Sequence, residues 1–382
     1  MKCNIRCKYC YENPQRDAGN VLNSYDLARI KAGVEREGGP FTLFGGESLL
    51  VPEKDLEDLF AWGFEKYGGS VVQTNGILIG ESHIRLFRKY KVGVGISVDG
   101  PEELNDLRWA GSLQRTREAT ARTHTAIERL CQEGMPPGLI VTLHRKNATP
   151  ELLPRMHDWF RWLDSLGVPS ARLHLLEVDH VSVRRAYALT VEENLEALLS
   201  FARLEPELSA LYFDVFKEAR SLLLGQDDHV SCVSRACDPY TTQAVQGVDG
   251  QGQRNNCGQT NKDGVDFVKS DFVGYERYLA LYATPQADGG CQGCRFFLMC
   301  KGHCPGTAID GDWRNRTEHC EVWKGLYERF ERSLTEEGLA PLSQLPVRSQ
   351  LERFFLDAWT EGLNFTLRQA LEQIAREQPA GA

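Results

Sequence analysis

Short apolar runs and longer segments of helical period alternate through the first half of the chain. Phe41 to Phe44, Ser70 to Gln73, Val92 to Val98, Leu139 to His144 and Arg172 to Val178 are predicted as buried strands. Between them the apolar positions recur at helical spacing over 23–37, 52–66, 79–90, 117–133 and 149–166. This strand-helix alternation predicts a parallel sheet with crossover helices, an open or closed α/β barrel. Two further helical stretches follow over 191–225, and Gln243 to Gln253 alternates around Asp249-Gly250, the signal of a β-hairpin. From about residue 349 the tail is helical, with Leu351, Phe354, Phe355, Ala358 and Trp359 forming an apolar stripe expected to pack on its own core.

Composition narrows the class without deciding the chemistry. The 382 residues are 42% hydrophobic and 25% charged, ordinary for a soluble globular protein of two or three domains. A formal charge of -9 argues against general binding to nucleic acid or to an anionic membrane, since neither attracts an acidic surface. The start, MKCNIRCKYC, has no apolar h-region, and no stretch approaches the roughly 18 apolar residues that would span a bilayer. A cytoplasmic protein is expected. Twelve cysteines in a reducing compartment point to metal ligands rather than disulfides, and their tight clustering agrees.

The first cluster is Cys3, Cys7 and Cys10, at C-x3-C-x2-C spacing, with Tyr9 before the third cysteine. A structural zinc site closes with four Cys or His ligands, but the first histidine is His83. An iron-sulfur cluster on three thiolates instead keeps one iron open. At these residues the sequence resembles the radical S-adenosylmethionine (radical SAM) enzymes, whose loop of this spacing carries a 4Fe-4S cluster. A zinc or disulfide motif is the alternative. The family barrel has six strands, the first just before the cysteine loop, yet only Met1 and Lys2 precede Cys3. The expected fold is therefore a partial (β/α)6 TIM-like barrel lacking its first strand, through a misassigned start or a trimmed chain.

In parallel barrels functional residues gather at the strand C-termini. The first run ends in Gly45-Gly46-Glu47, where glycines admit close approach of a ligand and a carboxylate accepts hydrogen bonds from an ammonium group. By resemblance this is the family's GGE motif, which binds the amino group of the methionyl moiety; alone it is also a common turn. The next run ends in Thr74-Asn75-Gly76, similar to the family's Thr-Asn-Gly and equally a turn signal. The third ends in Ser97-Val98-Asp99, with Arg108 downstream. The resemblance implies that Ser97 and Arg108 contact the carboxylate and ribose of the cofactor, although Arg108 is one residue closer than the family pattern and a surface arginine is the alternative. Thr142 and Glu177 end the last two strands and are weaker candidates.

Cysteines return after residue 230. Cys232 and Cys237, Cys257, the run Cys291-x2-Cys294-x5-Cys300-x3-Cys304, and Cys320 match the spacing of the SPASM domain, the twin-cluster extension of many radical SAM enzymes. That resemblance implies Cys232, Cys237, Cys257 and Cys304 as ligands of one auxiliary cluster, and Cys291, Cys294, Cys300 and Cys320 of the other. A pair of four-cysteine zinc ribbons is the structural alternative. Three 4Fe-4S clusters would use eleven cysteines and leave Cys131, which shares a helix face with Ile127 and Leu130 and is expected as a buried core thiol. The expected organisation is a barrel over 1–210, a small α+β SPASM domain over 211–330 and a helical tail over 331–382.

The resemblance implies that one electron from the Cys3, Cys7, Cys10 cluster cleaves S-adenosylmethionine, giving a 5'-deoxyadenosyl radical that takes a hydrogen atom from the substrate. SPASM enzymes mostly modify peptides or protein side chains. The expected activity is a maturase forming a thioether or carbon-carbon cross-link on a short ribosomally made precursor peptide. An anaerobic sulfatase-maturing enzyme making formylglycine is the alternative; in that branch a proposed catalytic Asp follows the third auxiliary cysteine, where this chain has Gly258. A zinc or iron-sulfur scaffold is the non-catalytic alternative. Implied partners are the precursor peptide, a separate leader-binding protein and an electron donor of flavodoxin or ferredoxin type. The acid or base that completes the reaction is not identifiable from sequence.

Overall fold

The computed structural model describes residues 2–19, 24–177, 180–260 and 269–377. The expected strand end at Val178 and the helix start at residue 23 lie outside them. The chain divides into two compact units, one of residues 1–214 and 247–266, the other of residues 215–246 and 267–382.

The first unit is built on a six-stranded parallel sheet in sequence order: β1 Thr42–Leu43, β2 Ser70–Thr74, β3 Val92–Ser97, β4 Gly138–Leu143, β5 Ser170–Leu175 and β6 Tyr212–Phe213. Crossover helices join the strands, as expected of a TIM-like partial barrel. In chain order the helices are α1 Asn13–Asp17, α2 Leu27–Glu37, α3 Glu53–Tyr67, α4 Glu81–Lys89, α5 Leu113–Gln132, α6 Leu153–Ser165, α7 Val181–Tyr187 and α8 Val191–Leu204. Each strand alternates its side chains. On β3, Val92, Val94 and Ile96 are buried, while Ser97 lines the interior of the barrel. The buried strand faces meet the apolar stripes of the helices, Leu56 and Phe60 of α3, Ile84 and Phe87 of α4, Ile127 and Leu130 of α5, Met156 and Phe160 of α6.

Local chemistry sets several helix ends. The Asp26 carboxylate accepts the Arg29 N–H at 3.0 Å, and Gly38 closes α2 with φ 80°. At α8, Thr190 and Glu193 form a reciprocal capping box. Cys131, expected in the core, is only half-buried: it lies in the last turn of α5, while its neighbours Ile127 and Leu130 are wholly buried.

Strand β6 falls inside the stretch expected as two helices. It is two residues long, and tertiary contacts make it. Asp164 accepts the N–H groups of Ser209, Ala210 and Leu211 at 2.7 to 2.9 Å. Glu205 accepts that of Phe213 at 2.6 Å, and the Phe213 ring is buried 4.9 Å from Phe160 and 5.7 Å from Phe201. The hairpin forms with β7 Gly247–Val248 antiparallel to β8 Arg254–Asn255, so the turn is centred slightly beyond Asp249-Gly250. Asp249 Oδ1 accepts from the N–H groups of Gln251 and Gln253, which ties the five-residue loop. An Arg254–Glu37 ion pair at 3.0 Å fastens the hairpin to α2.

The second unit contains α9 Asp214–Leu223, whose first residue is the junction, then α10 Glu276–Ala283, α11 Phe297–Cys300, α12 Cys320–Glu336, α13 Arg348–Thr360 and α14 Leu367–Glu377. Its core is aromatic. Trp359 is 5.3 Å from Phe355, 5.4 Å from Tyr278 and 6.0 Å from Phe297, so the apolar stripe of the tail packs on its own unit. Arg277 is buried as a strut: its guanidinium donates to the carbonyls of Trp313 at 2.7 Å and Asn315 at 3.0 Å, and to Tyr278 Oη at 3.2 Å.

Candidate functional site

The cysteine loop is fixed to the first unit by its backbone. Arg6 N–H donates to Trp109 O at 2.7 Å and Lys8 N–H to Leu107 O at 2.8 Å. At its start, Glu47 N–H donates to Lys2 O at 2.7 Å. Here Gly46 is obligatory for space rather than for backbone angle: a Cβ on it would stand 2.0 Å from the Lys2 carbonyl oxygen. The Gly-Gly turn after β1 thus presses directly on the segment that leads into Cys3.

A cavity of about 200 Å³ opens above the strand C-termini. Cys3, Cys7 and Cys10 line it together with Tyr9, Gly45, Gly46, Asn75, Ser97 and Arg108, and with Thr142 and Glu177 from the ends of β4 and β5. Residues spread over 175 positions of sequence meet there because parallel strands all end on one face. Glu47 is the exception. It is 4% exposed, and its carboxylate accepts from Thr74 Oγ1 at 2.6 Å, Asn75 N–H at 2.8 Å and Leu49 N–H at 3.1 Å. The carboxylate braces β1 against the end of β2 instead of lining the cavity. Asn75 is equally engaged, donating to Asn4 Oδ1 at 2.7 Å and accepting from Ile77 N–H at 3.0 Å. Ser97 accepts from Gln73 Nε2 at 2.8 Å.

Beneath the cysteine loop lies a buried ionic network that sequence spacing did not reveal. The Tyr9 hydroxyl donates to Asp99 Oδ2, and Arg108 Nη1 donates to the Tyr9 oxygen at 3.4 Å. Thr142 N–H donates to Asp99 Oδ1 at 3.1 Å. His144 Nε2 stands 3.6 Å from Asp99 Oδ2, beyond direct hydrogen bonding, and both side chains are wholly enclosed. Burial alone would raise the Asp99 carboxyl, but His144, Arg108 and Tyr9 more than offset it and hold it below the usual carboxylate range. Asn147 completes the frame, donating to the carbonyls of Asp99 and Thr142 at 2.8 Å. Tyr9, Asp99, Arg108 and Thr142 each stood at legible positions in the sequence, but nothing in their spacing showed that they meet.

The thiols respond to burial in the same way. It pushes Cys7 up to about 12, against the pull of Arg108, and Cys10 up to about 11. Three soft sulfur donors in one cavity wall suit a metal group that binds them as thiolates. Glu12 is also in the cavity wall, and burial raises its carboxyl to about 7. A Cβ on Gly258 would lie 3.1 Å from the Tyr11 ring and 3.6 Å from Glu12 Oε1, so Tyr11 and Glu12 occupy the space beside residue 258.

In the second unit Cys291, Cys294, Cys300 and Cys320 line one small cavity with Phe297, Tyr327, Arg316 and Lys324. Cys232, Cys237 and Cys304 also belong to this unit, and Cys257 to the first. Cys237 is pinned by its carbonyl, which accepts from Tyr278 Oη and from Arg277 Nη1. Among the described residues no three Cys, His, Asp or Glu side chains are grouped about a single-ion position. No helix among them is long and apolar enough to cross a membrane.

The model of the radical SAM superfamily matches residues 1–159. Fe-coproporphyrin III synthase of Methanosarcina barkeri is 30% identical over 149 residues, which are 38% of this chain and 36% of that one. The serine-type anaerobic sulfatase-maturating enzyme of Bacteroides thetaiotaomicron is 20% identical over 370 residues, 86% of each chain. The Klebsiella aerogenes enzyme of the same name is 27% identical, and the match spans 48% of its length. Among solved structures, native anSMEcpe with bound AdoMet and Cp18Cys peptide superposes with a TM-score of 0.63 at 18% identity, over 87% of this chain and 96% of that one. That likeness is one of fold.

Proposed function

From the match of residues 1–159 to the radical SAM superfamily we propose that the chain is a radical SAM enzyme and that it oxidatively modifies a side chain of a peptide or protein substrate by hydrogen-atom abstraction. One observation carries the reading: Cys3, Cys7 and Cys10 share a single cavity with the Gly45-Gly46 turn, Ser97 and Arg108. When bound, a 4Fe-4S cluster on these three thiolates supplies the electron that cleaves S-adenosylmethionine to methionine and a 5'-deoxyadenosyl radical. The remaining steps belong to the residues of the chain. Gly45 and Gly46 leave the backbone open to the amino group of the cofactor, and Glu47 holds that turn in place through Thr74 and Asn75. Ser97 and Arg108, in the same cavity wall, would hold the cofactor's carboxylate and ribose. Tyr9 and Asp99 fix the height of the cysteine loop above the sheet.

Two auxiliary clusters are part of the proposal, one on Cys232, Cys237, Cys257 and Cys304 and one on Cys291, Cys294, Cys300 and Cys320. A flavodoxin or ferredoxin supplies the electron in this reading, and the protein works in the cytoplasm. The first substrate class is a short ribosomally made peptide that gains a thioether or carbon-carbon cross-link, recruited with a separate leader-binding protein. Formylglycine formation on a sulfatase is the second, favoured by the match to the Bacteroides enzyme over 86% of both chains. Gly258 weighs against it, since it carries no carboxylate and a side chain there would meet Tyr11 and Glu12.

Anaerobic reconstitution followed by metal counting and an assay for 5'-deoxyadenosine tests the core of the proposal. About 12 irons with cofactor cleavage in the presence of dithionite supports it, and zinc without cleavage overturns it. The two substrate classes separate on product chemistry. Formylglycine is an aldehyde and reacts with a hydrazide probe, whereas a cross-linked peptide of the same mass loss does not.

A further inference from the structure

The four-thiol cavity of the second unit is bordered by two cations whose situations differ. Lys324 Nζ donates to Gln286 Oε1 at 2.7 Å and to Glu321 Oε1 at 3.1 Å, so a carboxylate already balances its charge. Arg316 has no such partner: among the described residues no carboxylate lies within ion-pair distance of it. Its Nη1 donates to the carbonyls of Gly290 at 2.8 Å and Gln286 at 2.5 Å, and its Nε–H is buried with nothing to accept it. The backbone holds the residue from both sides, Arg316 N–H donating to Gly289 O at 2.9 Å and Arg316 O accepting from Ile309 N–H at 3.0 Å.

A buried N–H without an acceptor is costly, and native structures rarely keep one unless a bound group supplies the acceptor. The cavity that Arg316 borders is ringed by the sulfurs of Cys291, Cys294, Cys300 and Cys320. A cluster on four thiolates is a net anion, and each added electron makes it more negative. Hydrogen bonds to its sulfurs and nearby positive charge both favour the reduced state.

We propose that Arg316 sets the reduction potential of the iron-sulfur cluster held by Cys291, Cys294, Cys300 and Cys320, presenting an N–H and an unbalanced positive charge to its sulfurs so that it accepts an electron more readily. Arg316 acts as a positioning residue. The step it favours is the uptake of one electron, with no bond made or broken and no proton moved. The inference rests on the proposed assignment of those four cysteines to one cluster.

The test is a redox titration of the reconstituted full-length protein followed by electron paramagnetic resonance, with iron counted in the same samples. Arg316→Gln is expected to keep its iron and to move one reduction step negative by about 59 mV or more, a tenfold change in a one-electron equilibrium, while the other steps stay in place. Unchanged potentials at full iron content overturn the proposal. Should Arg316→Gln lose iron, Arg316→Lys keeps the charge without the Nε–H: a smaller negative shift supports the proposal, and none overturns it. The underlying assignment has its own readout. The double variant Cys294→Ala, Cys320→Ala should lose about four of roughly 12 irons, and full retention refutes the cluster reading whatever Arg316 does.

Discussion

The backbone N–H of Asn75 donates to Glu47 Oε2 at 2.8 Å, joining the turn after β1 to the end of β2 through a carboxylate that is 4% exposed. With Thr74 and Leu49 as further donors, Glu47 is a brace on which the cofactor turn rests. Glu47→Gln turns an amide donor toward one of these donors and leaves it unsatisfied. The expected loss is about 1–3 kcal/mol of stability in urea unfolding, with weaker S-adenosylmethionine binding by calorimetry. Unchanged stability would return Glu47 to a direct ligand role.

Gly46→Ala is the sharper perturbation of the same turn. The new Cβ meets the Lys2 carbonyl oxygen at 2.0 Å, a backbone atom that moves only if the approach to Cys3 moves with it. Formation of 5'-deoxyadenosine is expected to fall on the order of 10²-fold, as for a reacting group displaced by about 1 Å. Wild-type turnover in this variant would show that the cysteine loop is placed independently of the turn.

Asp99 should be far less replaceable than Tyr9. Asp99→Ala leaves Arg108 without its buried counter-charge and Thr142 N–H without its acceptor, for an expected loss of about 3–5 kcal/mol. Tyr9→Phe removes a hydroxyl that donates to Asp99 and accepts from Arg108, for about 1–2 kcal/mol. Comparing the urea midpoints of the two variants checks the ranking, and equal losses would contradict it.

Burial, aided by Arg172, pushes the His174 imidazole in the cavity wall down to about 3, against about 6.5 in an unfolded chain. Below pH 6.5 the unfolded chain binds a proton that the folded one refuses. The neutral histidine is therefore fully compatible with the fold above about pH 6.5, and stability falls as pH drops through the window between 6.5 and 3. Between about pH 7.5 and 5.5 the wild type is expected to lose on the order of 1 kcal/mol more than His174→Gln. Parallel pH profiles of the two proteins would exclude this account.

Replacing Cys3, Cys7 and Cys10 together with Ala is expected to abolish S-adenosylmethionine cleavage while about eight of roughly 12 irons remain. Iron content and 5'-deoxyadenosine measured on one preparation decide it. Cleavage by the triple variant would remove the cofactor cluster from these residues.

Local covalent order determined much of this protein. The spacing of Cys3, Cys7 and Cys10, the glycines at 45 and 46, and five strand-helix alternations are short-range patterns, and chain geometry alone carries them into structure. What the tertiary structure decided lies at long sequence separation. Strand β6 is two residues long, and Asp164, Glu205 and the Phe160 and Phe201 rings define it rather than its own propensity. Asp99 meets Tyr9 from 90 residues away, and Arg316 comes to the Cys291 cavity on a backbone held at Gly289. Glu47 is the most direct case. Its type and position were plain in the sequence, but only the packing of β1 beside β2 turned its carboxylate from the cavity into the frame. A side chain's direction depends on which donors the fold brings within about 3 Å, and spacing along the chain does not encode that.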